Sequence, residues 1–167
     1  MGITGMNHAV LYVRDAARSA AFYEAVLGFS TVAAFPGGAF LRAPGSTNDH
    51  DIGLFSIGEE AGPSTAGRAT VGLYHLAWEV PTLTDLAELA AKLSDAGALV
   101  GASDHSVSKS LYAHDPDGLE FEVCWVVPLA LLGEGESPSA RPLPLDIDRE
   151  VERYGADTRG GRIPVSG

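Results

Sequence analysis

The stretch Asp104–Trp125, DHSVSKSLYAHDPDGLEFEVCW, decides how the chain folds. It reads as a strand, a tight turn and a second strand. In Asp115-Pro116-Asp117-Gly118, proline presets φ at the first central position and glycine accepts a positive φ. The residues that follow have a period of two. Glu120, Glu122 and Cys124 fall on one face, and Leu119, Phe121, Val123 and Trp125 on the other. The apolar face packs, while the carboxylates belong in water unless something recruits them.

Working outward from this hairpin, one pattern occurs twice. Leu73–Val80 reads as a strand carrying His75, and Thr82 can cap a helix. Leu86, Leu89, Leu93 and Ala96 mark the core side of that helix, which Gly97 closes. Strands follow at Leu99–Ala102, Ser108–His114 and Leu119–Val127. The first part of the chain has the same grammar. Asn7–Val13 is a strand with His8, Val10 and Tyr12 on one face, and Asp15 caps a helix running to Leu27 with Gly28 as its stop. Strands follow at Thr31–Phe35, Ala39–Arg42 and Asp51–Ile57, with Gly37-Gly38 as a hairpin turn between the first two. His8 precedes Gly28 by 20 positions and His75 precedes Gly97 by 22, although identity between the halves is low. The repeat is therefore one of pattern.

The fold class expected is α+β: two paired βαβββ modules forming one curved, partly closed mixed sheet with helices outside. Residues 1–127 would make a single domain, with module one at 5–58, a linker at 59–70 and module two at 71–127. The linker is rich in Gly, Pro, Ser and Ala and has no period. Residues 128–167 form a C-terminal extension in which Leu145–Tyr154 reads as a short helix and the last dozen residues as a tail.

Composition narrows the function. The chain has 167 residues, 46% of them hydrophobic, which suffices for a core. A formal net charge of −11 argues against a nucleic-acid partner and disfavours an anionic membrane surface. No window approaches the roughly 18 consecutive apolar residues of a membrane span. The beginning MGITGMNHAVLYV lacks the basic region and cleavage site of a secretory signal. Cys124 is the one cysteine, which excludes an internal disulfide, fits a reducing cytoplasm and reads as a small buried thiol.

One histidine thus lies early in the first strand of each module, His8 and His75, and Glu122 lies in the last strand of the second. If the modules pair about a pseudo-twofold axis, two imidazoles and one carboxylate share a face, a donor set suited to a divalent metal and especially to non-haem Fe(II). A strand histidine is more often a satisfied polar residue, so spacing alone leaves both readings open. His50, between two aspartates, reads by itself as an exposed loop histidine. Tyr112 reads as a partly buried strand tyrosine, His105 as a loop histidine, and His114 as structural or exposed. Phe35, Phe40 and Trp78 read either as pocket lining or as core, with core preferred, and Glu120 has no role.

From Met6 to about Val127 the chain resembles the vicinal oxygen chelate superfamily, which includes glyoxalase I, fosfomycin-resistance proteins and extradiol dioxygenases. The resemblance rests on NHAVLYVRD with FYEAVLGF, HDIGLF, LYHLAWEV and DHSVSKSLYAHDPDGLEFEV. The last stretch is similar above all to the extradiol catechol dioxygenases, although Leu119 stands where that family often has Asn. The resemblance implies His8, His75 and Glu122 as metal ligands, His50 as the acid–base histidine, and Tyr112 and His105 as groups that stabilise charge on substrate and oxygen. It implies a cytoplasmic, Fe(II)-dependent enzyme (Mn(II) being the alternative ion) that cleaves a catechol with O2 and assembles as a homo-oligomer. Two other members of the superfamily remain as alternatives. One is a glyoxalase-type metal-dependent isomerase or lyase, which commonly takes a fourth ligand, a glutamate, from the last-strand region of the first module. There HDIGLFSI offers His50, Ile52, Leu54 and Ser56 on one face, and His50 could itself be that ligand. The other is a metal-free protein that binds a small molecule such as an antibiotic.

Overall fold

The computed structural model describes residues 2–67, 69–133 and 142–161. The chain divides into two compact units, Met1–Thr65 with Asp115–Leu119, and Ala66–His114 with Glu120–Gly167.

The first unit opens with β1 (Ala9–Val13) and α1 (Ala16–Leu27). Asp15 caps the helix by accepting from the Ala17 and Arg18 amides. β2 (Ser30–Phe35), β3 (Gly38–Arg42) and β4 (Ile52–Ser56) complete a sheet of order β1-β4-β3-β2, in which β1 and β4 run parallel. Burial alternates along β1 as expected, with Leu11 and Val13 in the core and Val10 and Tyr12 exposed. The hairpin turn is Pro36-Gly37 rather than Gly37-Gly38. Proline fixes the first position and Gly37, at φ 80°, takes the left-handed second, so Gly38 already belongs to the strand.

The segment Asp115–Leu119 is built as a tight turn. Asp115 Oδ1 accepts from the Asp117 and Leu119 amides, and Gly118 donates to the Asp115 carbonyl at φ 81°. Asp117 then accepts from the Arg14 amide, from Arg14 Nη1 and from Arg18 Nη2.

The second unit repeats the topology. β5 (Leu76–Glu79) is followed by α2 (Leu83–Asp95), β6 (Leu99–Asp104), β7 (Ser108–His114) and β8 (Glu120–Val126). The sheet order is β5-β8-β7-β6-β9, where β9 is the short Leu143–Pro144. Thr82 caps α2 by accepting from the Asp85 amide. Leu83, Leu86 and Leu93 are fully buried, each contributing roughly 1.5–3 kcal/mol, whereas Ala96 is exposed. β8 follows the expected period: Phe121, Val123 and Trp125 are buried, and Glu120, Glu122 and Cys124 are half-buried opposite them. The α+β class and the two modules stand as expected. The strands hydrogen-bond as one sheet per module, and neither sheet closes into a barrel.

The short helix expected in the extension is present, and the part of the expected tail that is described is ordered. α3 (Ile147–Tyr154) is capped by Asp146, and residues 156–161 pack on the second unit. Trp125 Nε1 donates to the Thr158 carbonyl, Gly160 N to the Pro81 carbonyl and Gly161 N to the Val126 carbonyl. A Cβ on Gly160 would lie 2.9 Å from both Trp125 Nε1 and the Val126 carbonyl oxygen. Gly160→Ala should therefore lower unfolding stability by about 1–3 kcal/mol, read as an earlier urea midpoint. The last residues of the expected tail, 162–167, lie outside the described residues. Among the described residues, no helix is long and apolar enough to cross a membrane.

Candidate active site

In the second unit His75 stands one residue before β5. The parallel pairing of Leu76 with Phe121 and of Ala77 with Glu122 brings its ring beside two carboxylates. His75 Nε2 lies 3.1 Å from Glu122 Oε2, and Nδ1 lies 3.6 Å from Glu120 Oε1. Register partners share a face of the sheet, so Ala77, Glu122 and Tyr112 stand together. The Tyr112 hydroxyl is 2.7 Å from His105 Nε2, and its ring centroid is 5.9 Å from that of His75. Burial first, then the Glu122 charge, push the Tyr112 phenol up to about 12. It therefore stays protonated at neutral pH and can donate a hydrogen bond. One polar face thus gathers four of the six expected site residues: His75, Glu122, Tyr112 and His105.

The other two lie in the first unit. His8 immediately precedes β1 and is exposed, with Nδ1 2.6 Å from Asn7 Oδ1. His50 ends the loop after β3, with Nδ1 3.0 Å from Asp49 Oδ2. Its ring centroid is 4.4 Å from that of His8 and 4.6 Å from that of Phe40. The buried Asp51 fixes this loop by accepting from the Ala43 amide, Ser46 Oγ and Asn48 Nδ2. Phe40 is thus a stacking partner of His50 and not a buried core residue, and Phe35 is 40% exposed. Ile52 and Leu54 are in the core, so they do not share an open face with His50.

Among the described residues, no three His, Cys, Asp or Glu side chains are grouped so as to hold a metal ion. What the second unit supplies is the His75–Glu122 pair with Glu120 beside it. Sequence reading assigned Glu120 nothing, because its contact with His75 depends on the β5–β8 register, which leaves no local signal. His114 is exposed, with Nε2 3.8 Å from Glu120 Oε2. Cys124 is half-buried on this same polar face and not the buried thiol expected.

The two units can be compared residue by residue. Two positions after each leading histidine, Val10 pairs with Gly53 in the first unit and Ala77 with Glu122 in the second. Gly53 thus occupies in the first unit the register position that Glu122 occupies in the second. A Cβ on Gly53 would meet the Phe40 ring at 3.3 Å. The first unit has no carboxylate at this point.

Against known proteins, a profile of the Glyoxalase/Bleomycin resistance protein/Dioxygenase superfamily matches residues 5–123. The chain belongs to that superfamily. A catechol-2,3-dioxygenase of Bacillus subtilis (strain 168) is 35% identical over 123 residues, covering 72% of this chain and 41% of that protein. A biphenyl-2,3-diol 1,2-dioxygenase 3 of Rhodococcus globerulus is 35% identical over 119 residues, covering 68% of this chain and 58% of that protein. The chain thus spans roughly half the length of these curated relatives. The superfamily fold is matched by the glyoxylase/bleomycin resistance protein/dioxygenase domain from Frankia sp. EAN1pec, at TM-score 0.63 and 24% identity, covering 81% of this chain and 96% of that one.

Proposed function

We propose that this superfamily member is an Fe(II)-dependent extradiol dioxygenase that cleaves the ring of a catechol-type diol with O2, with Mn(II) as the alternative ion. The observation that carries the reading is the polar face of the second sheet, where the His75–Glu122 pair stands beside the hydrogen-bonded Tyr112–His105 pair. The names of two relatives at 35% identity support it.

The donor chemistry fits such an ion. Imidazole nitrogen and carboxylate oxygen suit Fe(II) and Mn(II), and the carboxylate adds negative charge. His75 Nδ1 and Glu120 Oε1 are buried, have no hydrogen-bond partner among the described residues and face each other. A small closure would let Nδ1–H donate to Glu120, which fixes the tautomer and leaves Nε2 to bind metal. In this proposal His8 is the third ligand. Bound iron would lower the pKa of both catechol hydroxyls and hold them in place. The remaining work falls to the chain's own side chains. His50 takes a hydroxyl proton and later returns one, the general acid–base role that histidine fills more often than any other side chain. Protonated Tyr112 donates to the ring oxygen, and His105 supports charge beside it.

The test is anaerobic Fe(II) loading followed by a catechol panel, with oxygen uptake and a yellow ring-opened product as readouts. No oxygen uptake with any catechol sinks the reading. His50→Ala should lower turnover by roughly 10²–10⁴-fold while iron stays bound. Iron-loaded variant turning over at the parent rate would remove His50 from its role. The glyoxalase-type alternative calls for a fourth ligand from the first module. Gly53, covered by the Phe40 ring, offers none at the register position equivalent to Glu122.

A further inference from the structure

Lys109 is fully buried on the face of β7 opposite Tyr112, in register with Trp125. Its Nζ lies 2.5 Å from Asp104 Oδ1 and 3.1 Å from Glu150 Oε2 on α3, and the three side chains are 0%, 8% and 1% exposed. Arg149 completes the cluster, with Nη2 3.2 Å from Glu150 Oε1 and 3.9 Å from Asp104 Oδ2. Buried ion clusters of this kind commonly stabilise a fold no more than apolar side chains of similar size would. Stability alone therefore does not account for the charges.

What lies on the other side of Asp104 does. The Oδ1 atom that meets Lys109 also accepts from the Ser106 amide at 2.8 Å. Ser106 has φ 68°, the one positive value at a non-glycine among the described residues. A left-handed serine is strained and persists only where its surroundings fix it. His105 N donates to the Ser108 carbonyl and Val107 N to the His105 carbonyl, which closes the turn. Adjacent residues point to opposite faces, so Asp104 enters the ion cluster while His105 reaches the Tyr112 hydroxyl at 2.7 Å. The turn has His105 on one side and the C-terminal helix on the other.

We propose that Lys109, Asp104 and Glu150 are positioning residues: they lock the 104–108 turn so that the His105 ring is held on the Tyr112 hydroxyl, which makes α3 of the extension part of the substrate-handling apparatus. The catalytic consequence rests on the dioxygenase reading, whereas the effect on His105 does not. The cluster touches neither substrate nor metal ligand and acts through the backbone between Asp104 and His105.

The test pairs Lys109→Met/Glu150→Leu, which replaces the charges by apolar bulk, with the milder Glu150→Gln. Folding is checked by circular dichroism and thermal melting. The readout is the ¹⁵N-imidazole spectrum of His105 in metal-free protein, with and without Tyr112→Phe. In the parent, Tyr112→Phe should shift the His105 Nε2 resonance. In the folded double variant that response should vanish, and in Glu150→Gln it should weaken. If the double variant does not fold, the Glu150→Gln comparison decides. In iron-loaded protein, kcat on a catechol should fall by roughly 10–100-fold, the scale of an ångström-level misplacement, with iron content unchanged. A folded variant whose His105 responds to Tyr112→Phe as the parent does overturns the proposal. A lost response in a protein whose parent cleaves no catechol leaves the positioning intact and removes the dioxygenase reading.

Discussion

Glu122→Gln protein should lose bound iron and ring cleavage together while keeping its fold. Glu122 lies on the polar face of β8, opposite the buried Phe121, Val123 and Trp125, so the substitution leaves the packed side of the sheet untouched. The amide keeps the shape of the carboxylate and removes its charge, which is the property a divalent ion uses. Glu120→Gln provides the contrast. Glu120 faces His75 Nδ1, away from the Nε2 that meets Glu122. It should act only as an outer partner, whose loss weakens metal binding by about 10–100-fold. Anaerobic equilibrium dialysis against Fe(II) checks both. The order of effects is the decisive result: iron held more weakly by Glu120→Gln than by Glu122→Gln would exchange the two roles, and parent affinity in Glu122→Gln would remove Glu122 from the ligand set.

The two carboxylates also show where sequence reading reaches its limit. Their shared face follows from parity along Leu119–Trp125, and parity survives folding because one-sided burial enforces it. The caps at Asp15 and Thr82 and the turn at Asp115–Gly118 are equally legible, since each has a local hydrogen-bonding reason. Which histidine meets which carboxylate depends on the parallel register of β5 with β8, set by residues some 45 positions apart. Resemblance supplied His75, Tyr112 and His105 as a group where periodicity could not. Lys109 eluded both routes. Its parity places it with Leu111 and Ala113, but a lysine is expected in water unless a partner is known. That partner, Glu150, lies 41 positions downstream in the short helix read at Leu145–Tyr154, and nothing local says which strand that helix packs against. The docking of residues 156–161 was hidden similarly, because it depends on the surface of Trp125 and not on any pattern of its own.

The Asp115–Gly118 turn was legible as a turn and silent about its second function, which Asp117→Ala should expose as a loss of about 2–4 kcal/mol in unfolding free energy. The Asp117 side chain is only 7% exposed, and it accepts from the Arg14 amide at 2.9 Å, Arg14 Nη1 at 2.9 Å and Arg18 Nη2 at 2.8 Å. Truncation leaves a half-buried guanidinium and a backbone N–H without their acceptor. Asp117→Asn keeps one oxygen and should lose less. Burial alone would raise the Asp117 carboxyl, but the Arg14 hydrogen bonds and the Arg18 and Arg14 charges outweigh it and hold the group below its ordinary 3.8. A carboxylate depressed in the folded state stabilises fully above its unfolded pKa, and loses that contribution as pH falls through the lower folded value. The gap between parent and Asp117→Ala should therefore be constant from about pH 7 to pH 5 and shrink below about pH 4. Asp104 is depressed as well, by the Lys109 and Ser106 hydrogen bonds and the Lys109 and Arg149 charges acting against burial, so the variant keeps an acid transition of its own. Urea unfolding across that range measures the gap directly. A difference that stays constant down to the acid transition would mean that Asp117 acts through turn geometry alone, with no contribution from its ionised form.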